Sequence, residues 1–234
     1  MMKVFGLAAG LVALLGAGAA NATVLYNTIG GGVSGGSDGL TVASNFGGPL
    51  GISFSVAGPT QLGSVSLSLF DSTPGDGGSV LVYLVPDSGG FPSHAGAGIV
   101  LTNKTLLGTI ADSALAGTLT SPATVTIQTT AFIPSAGRYW IELVGSGDSL
   151  NNPGTITPSG ARWIYSVANG PAGEFSSFGN YTSPGAPVLN NFANGITYQA
   201  AVNTPEPASM ALLGAGLAGI GLVRRRRQAR KVAA

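Results

Sequence analysis

Cysteine is absent from the chain. That one absence excludes disulfides, thiolate metal sites and cysteine nucleophiles together. Histidine is nearly absent too. His94 stands alone in the Gly/Pro/Ser stretch after Phe91-Pro92-Ser93. A zinc site needs three or four nitrogen or sulfur ligands, and one histidine without cysteine cannot supply them. A Ser/His/Asp triad would have to use His94, yet no Gly-x-Ser-x-Gly elbow occurs anywhere in the sequence. No catalytic residue is therefore assigned. Charge is scarce as well, at 8% of residues. Of the ten basic side chains, six crowd the C-terminus, from Arg224 to Lys231, and Lys3 lies at the N-terminus. Between Thr23 and Thr204 only Lys104, Arg138 and Arg162 face eight acidic residues. A mildly acidic domain repels polyphosphate, so no nucleic-acid partner is expected.

The 44% of hydrophobic residues include regular Val/Ile/Tyr/Trp runs, which are enough to build a core. These runs alternate with period two. Ile52, Phe54 and Val56 interleave with Ser53 and Ser55, and Val65, Leu67 and Leu69 with Ser64, Ser66 and Ser68. Val125 and Ile127 alternate with threonines, and Tyr139, Ile141 and Leu143 point opposite to Trp140, Glu142 and Val144. Further strands are read at Trp163, Tyr165 and Val167, and at Ile196, Tyr198 and Ala200. Val80–Val85 is apolar on both faces, which places it centrally between layers. Turn chemistry separates the runs at 74–78, 87–90 and 152–154. The expectation is an all-β domain over 23–203, an antiparallel β-sandwich of Ig-like or jelly-roll type. It should have about eight to ten strands and wet serine faces.

Three chemistries come into question for this domain. Glu142 on a strand and Glu174 in a loop are the acids a secreted hydrolase would use, but nothing in the sequence brings them together. Asp71 and Asp76 flank a Ser-Thr-Pro-Gly turn, and Asp87 and Asp38 are read as lying in Gly/Ser loops. Calcium is the one ion such oxygen-rich loops could serve, although no EF-hand or nonapeptide repeat is present. Phe175, Phe178 and Tyr181, read as a loop group, could stack on sugar rings in a carbohydrate-binding module for exopolysaccharide.

The two ends carry addresses. Met1-Met2-Lys3, an apolar run to Ala20, and Ala20-Asn21-Ala22 form a secretory signal over 1–22, with signal peptidase expected to cut after Ala22. At the other end Thr204-Pro205-Glu206-Pro207 precedes an apolar segment, 208–223, and then Arg224-Arg225-Arg226-Arg227. The apolar segment is short against the roughly 20 residues of a spanning helix, and glycines weaken it. Arginine heads reaching the interface would lengthen the span, and their charge would hold them in the cytoplasm. Pro205 and Pro207 cannot continue a helix, so they hold Glu206 in an extended stretch before the span.

Pro205, Glu206 and Pro207, the short helix and the arginine run together resemble the PEP-CTERM sorting signal over 204–234. The residue before the first proline is Thr204, where that family usually has Val. The resemblance implies processing by exosortase, a membrane cysteine peptidase, after transient insertion in the inner membrane. It also implies display on the surface of Gram-negative bacteria that make exopolysaccharide and biofilm. Ser64–Leu69, Val80–Leu84, Leu107–Ile110 with Asp112-Ser113, and Gly137–Leu143 look like a choice-of-anchor type R domain over about 60 to 170. His94–Thr105 reads as an insertion relative to that pattern. That family implies location and fold, with no activity attached. The expected protein is thus a non-enzymatic surface or matrix protein.

Overall fold

A computed structural model describes residues 22–30, 32–40, 48–95, 100–148, 151–152, 154, 157–168, 170–180, 188–192 and 197–205. The strands in chain order are β1 (Val24–Asn27), β2 (Val33–Gly39), β3 (Leu50–Val56), β4 (Thr60–Gln61), β5 (Ser64–Asp71) and β6 (Ser79–Pro86). Next come β7 (His94–Ala95), β8 (Val100–Leu101), β9 (Thr105–Ala111), β10 (Ala123–Gln128), β11 (Phe132–Ile133) and β12 (Gly137–Gly145). The last are β13 (Ala161–Ser166), β14 (Ser176–Asn180), β15 (Val188–Phe192), β16 (Thr197–Tyr198) and β17 (Ala200–Asn203). Among the described residues the one helical turn is the 3-10 turn Asp112–Ala114, so the expected all-β class holds. No helix among them is long and apolar enough to cross a membrane, and the expected span 208–223 lies outside them.

Two antiparallel sheets carry the fold. One runs β15-β14-β3-β12-β6-β9. In the other, β5 is the hub: β17 and β13 pair along it, β10 pairs with it as well, β1 joins β17, and β2 and β16 join β13. The alternation sets the inward face. Leu50, Ile52, Phe54 and Val56 from β3, with Ile141 and Leu143 from β12, enter one core cluster with Val65, Leu67 and Leu69 from β5. Both sheets feed that core, as a sandwich requires. Residues Val24–Thr204 form one compact unit.

The reverse face of β12 and β6 departs from the expectation of wet serine faces. Tyr83, Val85, Leu101, Trp140 and Val144 form a second apolar cluster, with Leu81 and Phe175 packed against it. Val80–Val85 is apolar on both faces because β6 serves both clusters. Ser53 and Ser68 are buried, and Glu142 on that face is fully buried rather than solvated.

Among the described residues, seventeen strand segments exceed the expected eight to ten, partly because several are two residues long. Two others depart from the loops expected at those positions. β2 is nearly all Gly and Ser, yet it pairs with β13 through Asp38↔Trp163. β14, within the expected loop group 175–181, pairs with β3. Within the expected insertion at 94–105, β7 and β8 pair antiparallel.

One close approach locks the strand ends. A Cβ on Gly145 would stand 2.5 Å from the Leu40 carbonyl oxygen and 3.0 Å from its carbon. Leu40 is fully buried, and its amide donates to the Ala161 carbonyl, so it has little room to retreat. Gly145→Ala is expected to cost about 1–3 kcal/mol in denaturant unfolding. An unchanged midpoint would show that the Leu40 backbone yields freely.

Candidate functional site

Three carboxylates converge at one end of the sandwich. Asp71 ends β5, Asp76 lies in the turn before β6, and Asp112 opens the 3-10 turn after β9. One oxygen from each lies within 4.8 Å of the others. The backbone explains the convergence. The Asp112 amide donates to the Gly78 carbonyl, and the Asp71 amide donates to the Leu115 carbonyl. Turn chemistry holds the rest. Asp71 Oδ1 accepts from the Thr73 amide at 2.7 Å, and Asp76 Oδ1 accepts from the Gly78 amide at 3.1 Å. The Thr73 hydroxyl donates to Asp76 Oδ2 at 3.0 Å, and the Ser159 hydroxyl donates to Asp112 Oδ1 at 2.7 Å.

Asp71 and Asp112 are 2% and 0% exposed, and the Oδ2 of each has no hydrogen-bond partner. Burial pushes the Asp112 carboxyl up to about 7; the Ser159 bond opposes this, while the Asp71 charge and the adjoining Asp76 carboxyl, which can share the Asp112 proton, add to the rise. Asp76 is exposed, and its bond from the Gly78 amide holds it below the usual carboxylate range. Glycines line the cluster closely. A Cβ on Gly78 would meet Asp112 Oδ2 and the Pro158 carbonyl oxygen, and a Cβ on Gly160 would meet Asp71 Oδ1 and the Thr73 hydroxyl.

The turn sequence marks Asp71 and Asp76 but not Asp112, which only the β6–β9 pairing brings in. The other two candidate calcium ligands are engaged elsewhere. Asp38 lies in strand β2, not a loop, and accepts from the Tyr198 phenol at 2.6 Å. Asp87 accepts from Trp140 Nε1 at 2.8 Å and from the Gly90 amide. His94 is exposed, with Nδ1 2.9 Å from the Pro92 carbonyl.

A second acidic pair lies on the reverse face of β3 and β12. Glu142 is paired with Gly51, and Gly51 in turn with Ser177. The Ser177 hydroxyl donates to Glu142 Oε1 at 2.7 Å, while Oε2 has no partner. Burial pushes this carboxyl up to about 8. Two residues along β3, the Ser53 hydroxyl donates to Glu174 Oε2 at 2.5 Å. Arg138 Nε stands 3.6 Å from the same oxygen, and the Glu174 side chain is 8% exposed. Both acids, which the sequence did not bring together, thus line one strand, each on a serine hydroxyl and each closed to solvent.

Phe175 packs against the second apolar cluster, and the Arg138 guanidinium lies over its ring, 4.4 Å from the centroid. Phe178 is on β14, while Tyr181 lies outside the described residues. So do Glu206, Pro207 and Arg224–Arg227, and residues 1–21 of the signal segment. Pro205 is described, two residues past the end of β17.

A protein-family profile described as the PEP-CTERM protein-sorting motif matches residues 203–227. No curated protein matches the chain. Among solved structures, the cysteine protease and lectin-like domains of Cwp84, a surface layer associated protein of Clostridium difficile, align at 15% identity and a TM-score of 0.39. That alignment covers 68% of this chain and 33% of the other, so the match spans about a third of that solved chain's length.

Proposed function

We propose that this is an exported surface or matrix protein. Exosortase removes its C-terminal tail after transient insertion in the inner membrane, and its β domain then acts without catalysis in an exopolysaccharide-rich biofilm. One observation carries the reading: the sorting motif begins at Asn203, the last residue of β17. β17 pairs with both β1 and β5 and closes the compact unit Val24–Thr204, so a cut beyond Pro205 falls outside that unit. The tail can be lost while the domain stays whole. The non-catalytic part is supported by the two buried glutamates. A glycosidase needs two carboxyls facing a sugar across a cleft. Here one is fully buried and the other is held by Arg138 and Ser53.

Mass spectrometry of the protein recovered from its host should find a C-terminus upstream of residue 208. In cells lacking exosortase the tail through Ala234 should remain. Recovery of the intact tail from cells with active exosortase would overturn the assignment.

A further inference from the structure

We propose that Asp71, Asp76 and Asp112 bind one calcium ion, with the Pro158 carbonyl and the Thr73 hydroxyl as further oxygen donors. The site stands on geometry within the β domain and is independent of the sorting tail. Calcium takes six to eight oxygens at 2.3–2.6 Å. Oxygens sharing such an ion lie no more than about 5 Å apart, and the three carboxylates meet that limit, at 4.8 Å.

Acid clusters alone are common at turns, so the burial is what points to a cation. Asp71 and Asp112 are out of solvent, and each keeps one oxygen without any donor. Buried polar atoms are nearly always satisfied, and an orphan demands an explanation. Two orphaned carboxylate oxygens beside a third carboxylate lack a positive partner. The described basic side chains are used elsewhere: Arg162 on Ser37, Arg138 on Glu174 and Gly173, and Lys104 on the Asn151 carbonyl. A cation here would satisfy both orphans and remove the repulsion among the three acids.

The donor set is all oxygen, which selects a hard cation over zinc or copper. Magnesium keeps several waters and usually takes one or two carboxylates. Three carboxylates with a carbonyl and a hydroxyl nearby suit calcium better. Gly78 and Gly160 fit the same reading, since any larger residue would place a carbon among these oxygens. Mechanically, the ion would tie the end of β5 to the turns before β6 and after β9, joining the two sheets.

The test uses the full chain in detergent, stripped with EGTA. Tryptophan-monitored melting is run with calcium, with magnesium, or with neither, and calorimetry gives stoichiometry and affinity. Calcium at about 1 mM, in the range of extracellular modules, should raise the melting temperature with one ion bound per chain. Magnesium at the same concentration should raise it much less. Asp76→Asn changes an exposed side chain and should fold normally, yet weaken calcium about tenfold or more. Asp112→Asn should abolish the calcium shift while being as stable as the parent, or more so, in EGTA. That sign follows because the amide removes a buried charge and still accepts from Ser159. The proposal is overturned if calcium leaves the melting of the parent chain unchanged, if magnesium acts equally, or if Asp76→Asn responds like the parent.

Discussion

Trp163→Ala is expected to remove about 3–5 kcal/mol of stability, the largest loss of any single truncation in this core. Against a typical total of about 5–15 kcal/mol, that leaves the sandwich at the margin of folding. The size follows from how many partners meet at one ring. Trp163 is fully buried and stacks on Tyr198 at 4.6 Å with an interplanar angle of 15°. Tyr165 tilts against the same Tyr198 ring from 5.8 Å. The Tyr198 phenol donates to Asp38, and Asp38 is the cross-strand partner of Trp163 itself. Removing the indole therefore opens a cavity and frees the tyrosine that fastens β16 and β2 to β13.

Trp163→Phe separates packing from hydrogen bonding. It gives up the Nε1 donation to the Gln199 carbonyl. That carbonyl also accepts from the Ser68 amide, so it is not orphaned. The phenylalanine variant should cost far less, about 1–2 kcal/mol. Denaturant unfolding reads both as midpoint shifts at constant slope. A loss below about 1 kcal/mol for the alanine variant would mean that this stack holds nothing together.

How far these features could be read from sequence depended on whether their cause is local. The tail is a linear signal, and its proline pair, apolar run and arginines need no folded context. Period-two strands such as Ile52–Val56 and Val65–Leu69 were legible because burial on one face imposes the alternation. β2 and β14 were not, because each holds a single large apolar residue, Val33 and Phe178, too few to show an alternation. Backbone pairing with β13 and β3 recruits these Gly- and Ser-rich segments. Ser53 illustrates the same limit. Serines alternating with isoleucine and phenylalanine look like a solvent face, yet Ser53 is buried because its hydroxyl serves Glu174 and the Phe175 amide. Asp112 is far from Asp71 in sequence and reaches it only through the β6–β9 register. The one local hint was an aspartate directly after a strand, a position where turn formation explains it equally well.

Glu142 should make the protein less stable as pH rises from about 4.5 to about 8. Its carboxyl is raised from an ordinary 4.5 to about 8 because burial disfavours the charged form. Over that window the folded state holds a proton that the unfolded chain has released, so unfolding becomes more favourable as pH increases. The stability is whole below about pH 4.5, where both states are protonated, and the loss is complete once the folded state also ionises above about pH 8. The full difference is on the order of 5 kcal/mol. The packing leaves no easy relief. A Cβ on Gly51 would fall onto Glu142 Oε1 and lie 2.6 Å from the Ser177 hydroxyl oxygen, so the carboxyl occupies space that only a glycine leaves open. Glu142→Gln keeps that shape and cannot ionise. Relative to the parent, the variant's stability should climb with pH across the window, from equal or lower in acid to higher above pH 8. Urea unfolding of both proteins at steps between pH 4 and pH 9 measures the difference, in which all other titrations cancel. A difference that does not change with pH would show that Glu142 is already charged in the folded protein, with water or a cation reaching the Oε2 that has no partner here.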